Sequence, residues 1–141
     1  MTKIAELTSA TGKTFLTIAY DAANNWIYNN WIGYVSPENV KLGSIAVLEA
    51  FQTHQTPYGL NDNQELVGRW DEAVDWIEQV WMPQAAAAGL RCYAHVTNQE
   101  SFAAASAAEM ESRTNGLFQM RIFGDMDSAK TWLKECQKSE S

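Results

Sequence analysis

The chain is poor in cysteine, proline and histidine, with two, three and two of them among 141 residues. Two thiols are too few for a disulfide scaffold. Cys92 falls inside a strand-like run and Cys136 on the apolar stripe of a helix-like one, so both are expected to be reduced and buried. No run of about 18 apolar residues is present to span a bilayer, and the first residues lack the apolar stretch of a secretion signal. A soluble, cytoplasmic protein without membrane insertion is the expectation. Basic residues are also scarce: ten against seventeen acids give a net charge of −7. The ten are scattered from Lys3 to Lys138, so phosphate repulsion argues against a nucleic-acid partner. No linker, composition shift or repeat divides the chain. The expectation is one domain over residues 1–141 with a core at about 14–136, and loose ends near 8–12 and 138–141.

Catalytic constellations are equally sparse. Thr11-Gly12-Lys13-Thr14 resembles the end of a phosphate-binding loop, but Leu7 stands where the leading glycine belongs. The segment also runs into a strand instead of a helix whose amides would hold phosphate, so a turn is the better reading. His54 and His95 have no nucleophile in a recognisable setting. Cys92 precedes His95 by three positions, and odd spacing on a strand puts the two side chains on opposite faces, against a metal site. Asp71, Asp75 and Glu78 share one helical face opposite the tryptophans and read as a solvated, solubilising surface. No cofactor is implied, and enzymatic activity, which would have to use Asp62 or His54, is the weakest reading.

What remains is a clear alternation of elements. Residues 15–20 and 26–34 read as strands joined by a loop at 21–25. On the second strand Trp26, Tyr28, Ile32 and Tyr34 share one face while Ile27, Trp31 and Val35 share the other. Ser36-Pro37-Glu38 starts a helix, with Ser as cap, and Val40, Ser44, Val47, Leu48 and Phe51 form its buried stripe. A short strand at 57–61 is followed by a helix whose Trp70, Val74, Ile77 and Trp81 repeat at helical spacing. Pro83 should kink or restart that helix, and Gly89 should close it. A strand to Val96 leads through Thr97-Asn98-Gln99-Glu100, a capping-box pattern, into an alanine-rich helix over 102–113. A last strand at 117–123 precedes a helix capped by Asp125 with Ala129, Trp132, Leu133 and Cys136 inward. Short connections between such elements favour an α/β fold: a mixed sheet of four or five strands with about four helices.

Six Trp, five Tyr and five Phe exceed what a core of this size requires. Trp26, Tyr28, Trp31, Trp70 and Trp81 are therefore the candidates for lining a pocket or an interface, where amphipathic rings are favoured.

Leu66 and Trp70 through Trp81-Met82-Pro83, then Ala88-Gly89-Leu90-Arg91-Cys92-Tyr93-Ala94-His95-Val96, Phe102, Phe118-Gln119-Met120-Arg121-Ile122-Phe123 and Ala129-Lys130-Thr131-Trp132-Leu133, resemble the SpoIIAA-like family. The resemblance covers about residues 58–135 and is carried by packing positions. It implies small bacterial proteins of mostly unassigned function with a STAS-like sheet and helices. The anti-sigma-factor antagonists that give the family its name switch partners when a Ser at the start of the helix after the central strand is phosphorylated. The matching stretch, residues 61–69, has no Ser or Thr, which argues against that switch. Other STAS-like relatives resemble the CRAL-TRIO lipid-transfer fold. The leading expectation is a non-catalytic STAS-like binding module acting through a protein partner or as a homodimer. The alternative is a carrier or sensor of a small hydrophobic, lipid-like ligand, with an apolar cavity of a few hundred Å³.

Overall fold

Alternating burial along Trp26–Gly33 places that strand inside a sheet, and the chain on both sides supplies its neighbours. The computed structural model describes residues 1–98 and 100–139. Among them six strands form one mixed sheet in the order β1-β2-β3-β4-β5-β6: Thr2–Thr8, Thr14–Asp21, Trp26–Gly33, Tyr58–Leu66, Cys92–Thr97 and Gln119–Phe123. The first three are an antiparallel meander, and β3 to β6 run parallel. Six strands replace the four or five expected. The additional one is β1, whose residues stand in the stretch read as preceding the core. It is a largely exposed edge strand with little apolar content. It exists because its backbone pairs with β2 across the turn at 9–13, where Ser9 N donates to Lys13 O at 2.8 Å. The Thr11–Thr14 motif is that hairpin turn, with Gly12 at φ 84°.

Strand order never reverses from β3 to β6, so crossovers of one hand put the three connecting helices on the same face. The first helix, Pro37–His54, is capped by Ser36, whose Oγ accepts from Asn39 N at 3.1 Å, and it buries Val40, Ser44, Val47, Leu48 and Phe51. The second runs over residues 71–87 in four pieces: a 3₁₀ turn Asp71–Ala73, an α turn Val74–Trp76, a π turn Ile77–Trp81 and an α segment Met82–Ala87. The helix restarts at Pro83 as expected, with Pro83 in the first turn of the segment Met82–Ala87, and it widens just before this residue. The wider turn, in which Met82 N donates to Ile77 O, accommodates a residue that has no amide hydrogen. Gly89 closes the helix at φ 105°. The alanine-rich helix, Ala103–Ser112, completes this layer. The last helix, Met126–Ser139, covers the other face with Ala129, Trp132, Leu133 and Cys136 against Trp26, Tyr58, Leu60, Cys92, Ala94 and Val96. Asp125 caps it, accepting from Ser128 N at 2.8 Å.

Two local expectations are corrected. Thr97 and Glu100 do not form a capping box: Asn98 Oδ1 accepts from Glu100 N and Asn98 O from Ser101 N, a turn that delays the helix to Ala103. Gln99 lies outside the described residues. The strand expected at 57–61 runs from Tyr58 to Leu66, because β5 offers it parallel partners as far as Asn63 and β3 as far as Leu66. Asp62 and Glu65 therefore belong to a strand, and the stretch resembling the family's switch segment is strand followed by a turn through Gly68.

Candidate functional site

Side chains on β3, β4 and β5 that face the three-helix layer include a row of buried polar groups: Asn29, Asn61, Asn63, Tyr93, His95 and Thr97. Register aligns Asn29 with Asn61 and Asn61 with His95. Asn61 is the hub. Its Oδ1 accepts from Trp31 Nε1 at 2.9 Å, Tyr93 Oη at 3.2 Å and Asn29 Nδ2 at 3.5 Å. Donors on that oxygen fix the amide's orientation, so Nδ2 is the group facing Asn63 Oδ1 at 3.0 Å and His95 Nδ1 at 3.5 Å. Nδ1 of His95 is thus the acceptor, and its proton resides on Nε2. That Nε2 is buried with no protein partner among the described residues, and so is Nε1 of Trp70.

Both residues line one cavity beneath the helices, toward the carboxyl ends of β3 to β5, where open α/β sheets bind ligands. Its walls are mainly apolar, with Trp31, Val47, Trp70, Ile77 and Trp81 among them, over a floor of Asn61, Asn63, Tyr93 and His95. The cavity volume is about 40 Å³. This is far smaller than a pocket for a lipid chain. Tyr93 seals one side by stacking on Trp81 at 5.7 Å and meeting Phe51 edge-on. Burial pushes the His95 imidazole down to about 3, so the ring is neutral at ordinary pH, and burial raises the Tyr93 phenol.

Of the aromatic candidates, Trp31, Trp70 and Trp81 line this cavity. Trp26 and Tyr28 stand on the opposite face with the last helix. Alternation along β3 separates them, so the five residues do not form one wall. Tyr28 Oη instead donates to Asp62 Oδ2 at 2.7 Å, and burial, followed by this hydrogen bond, raises the phenol's pKa. Asp62 and His54 are not brought together, since His54 stacks on Tyr20 with ring centroids 4.4 Å apart on the other side of the sheet. Cys92 and His95 do face opposite ways. Asp71, Asp75 and Glu78 are paired instead of merely solvated. Arg113 at the end of the alanine-rich helix reaches Asp75, Glu78 and Glu109, and Arg69 and Ser106 hold Asp71 with its carboxyl below the usual range. Asn61, Asn63 and Tyr93 were not singled out by sequence reasoning. Their signal was the period-two spacing of Asn61 with Asn63 and of Tyr93 with His95, which acquires meaning only when the strands are placed side by side.

Among the described residues no helix is long and apolar enough to cross a membrane, and no group of His, Cys, Asp and Glu is placed to hold a metal ion. No family model and no curated protein matches the chain in sequence. In structure the chain is similar to an uncharacterised protein of the DUF3478 family from Shewanella loihica, described as having a SpoIIAA-like fold. The TM-score is 0.58 at 16% identity, over 94% of this chain and 98% of that one. With its mixed six-stranded sheet and helices on both faces, this chain has a SpoIIAA-like fold.

Proposed function

We propose that this chain is a non-catalytic binding domain whose site is the cavity beneath the three-helix layer, and that it carries or senses a small ligand. One observation carries the reading. Two buried donors, Trp70 Nε1 and His95 Nε2, have no protein partner among the described residues, and both belong to side chains that line the same apolar-walled space. Native proteins satisfy nearly all buried polar groups, so such a pair calls for a partner from outside the chain. The setting of His95 supports binding: its Nδ1 meets an amide and not a carboxylate, so the ring is not poised as a base. A screen of small organic molecules by amide and indole NMR tests the reading. Saturable shifts confined to Trp31, Trp70, Trp81 and His95 are the expected result. A screen in which no compound moves them would end it.

A second reading is favoured by a different observation. Leu42 and Ile45 are exposed on the outer side of the first helix, and Tyr34 is 81% exposed after β3. Exposed apolar side chains of this kind fit contact with a protein partner or a second copy of the chain. Light scattering at micromolar concentration tests the homodimer, and a strict monomer removes it.

A further inference from the structure

The hydrogen-bond sense of the cavity defines what it selects, given the ligand-binding reading above on which this inference rests. The proton on His95 resides on Nε2, because Asn61 Nδ2 faces Nδ1 while Asn61 Oδ1 is filled by Trp31, Tyr93 and Asn29. An indole nitrogen only donates. Both groups without a protein partner are therefore donors, and what satisfies them is an acceptor. Asn29 Oδ1 and Asn30 Oδ1 also lack partners, but neither residue lines the cavity, so they do not change this sense. Charge is decided separately. No Lys or Arg lines the space, the imidazole is neutral, and the chain carries a net −7. An isolated carboxylate buried there would be left without a counter-charge, which is strongly unfavourable. Size is decided by the 40 Å³ of room, about three water-sized positions at roughly 10–15 Å³ each.

We infer that the cavity selects a small uncharged hydrogen-bond acceptor, a carbonyl oxygen above all. Trp70 Nε1–H and His95 Nε2–H hold that oxygen, Trp31, Val47, Ile77 and Trp81 enclose the carbons beside it, and the carboxylate of the same shape is rejected. A larger molecule meets the same selection by inserting a carbonyl-bearing end through the mouth.

Three isosteres test this: acetone, isobutene and acetate, each titrated into the full chain and followed by ¹H–¹⁵N spectra. The Trp70 indole signal is assigned by its loss in Trp70→Phe. Acetone is expected to move the Trp70 indole and His95 Nε2–H signals downfield and saturably, binding at least about tenfold more tightly than isobutene, since isobutene leaves the donors unpaired. Acetate is expected to shift neither. In Trp70→Phe and His95→Phe, the preference for acetone over isobutene is expected to shrink toward unity, whatever the change in absolute affinity. Isobutene binding to the wild-type chain as tightly as acetone overturns the acceptor inference and leaves the cavity as a site. Acetate binding as tightly as acetone overturns the selection against charge. A long-lived water that stays on the Trp70 indole at saturating acetone assigns the donors to water alone and also overturns the inference. If none of the three binds, the cavity reading fails together with the inference. The decisive comparison uses the wild-type chain, so a variant that does not fold leaves it intact.

Discussion

Acidifying the protein from about pH 7.5 to about pH 5 should destabilise it through His95 by about 2 kcal/mol, far more than an exposed histidine would. The ring is 2% exposed, with one nitrogen on Asn61 and the Tyr93 ring edge-on at 4.8 Å. Burial holds its pKa down to about 3 in the folded state, against about 6.5 in an unfolded chain. The unfolded chain therefore takes up the proton first. The stabilisation is complete above the unfolded value and drains away as pH falls from about 6.5 toward about 3, at up to about 1.4 kcal/mol per unit. By about pH 5 some one and a half units have been traversed, hence about 2 kcal/mol. The carboxyls held below their ordinary values, Asp21, Asp71 and Asp125, lose their contributions only as pH falls below about 4, outside the interval from about pH 7.5 to about pH 5. Urea unfolding followed by tryptophan fluorescence at both pH values, for the wild type and His95→Gln at matched ionic strength, isolates the effect. The wild type should lose about 2 kcal/mol more than the variant across the interval. Losses that agree within about 0.5 kcal/mol, well outside this linkage, would mean that the ring is protonated in place and the cavity is wetter than described.

Three further outcomes probe the packing. Gly43→Ala should destabilise by about 1–3 kcal/mol in urea unfolding despite the gain in helix propensity. Its Cβ would stand 2.5 Å from the Trp31 ring and 2.9 Å from Leu16 Cδ2, so a neutral effect would place the first helix farther from the sheet. Leu133→Ala should cost about 2–5 kcal/mol by opening a void under the last helix. That side chain is fully buried against the β5 face, and a loss well under this range would show the helix to be loosely docked. Cys92 and Cys136 are both buried in that same cluster. Neither thiol should react with an aromatic disulfide reagent until the protein is denatured, and rapid labelling of either in the native state contradicts this packing.

Elements whose side chains alternate between a wet and a dry side were legible. The first helix carries its own cap in Ser36 and its own stripe in Val40, Val47 and Phe51, and the last has Asp125 with Ala129, Trp132 and Leu133. Elements held by partners remote in sequence were not. β1 has few apolar side chains, and its pairing with β2 is made by backbone groups common to any sequence. Asn61-Asp62-Asn63 has poor strand propensity, yet it lies in β4 because β3 and β5 flank it on both sides. The contact of Trp81 Nε1, in the π turn before Pro83, with Ser44 O at 2.7 Å likewise joins segments remote in sequence.

The site divides along the same line. Sequence alone marks Trp31, Trp70 and Trp81 as candidates because an aromatic surplus can be counted, and it separates Cys92 from His95 because strand parity is local. It leaves open which tryptophans share a space. That was decided when three helices came to lie on one face, which left Trp26 and Tyr28 on the other. Tertiary structure alone also assembled Asn29, Asn61, Tyr93 and His95 from three strands into one hydrogen-bonded floor and left two donors unanswered above it. Periodicity is a property of a single segment. Hydrogen-bond saturation depends on the distances between segments, and those exist only in the folded chain.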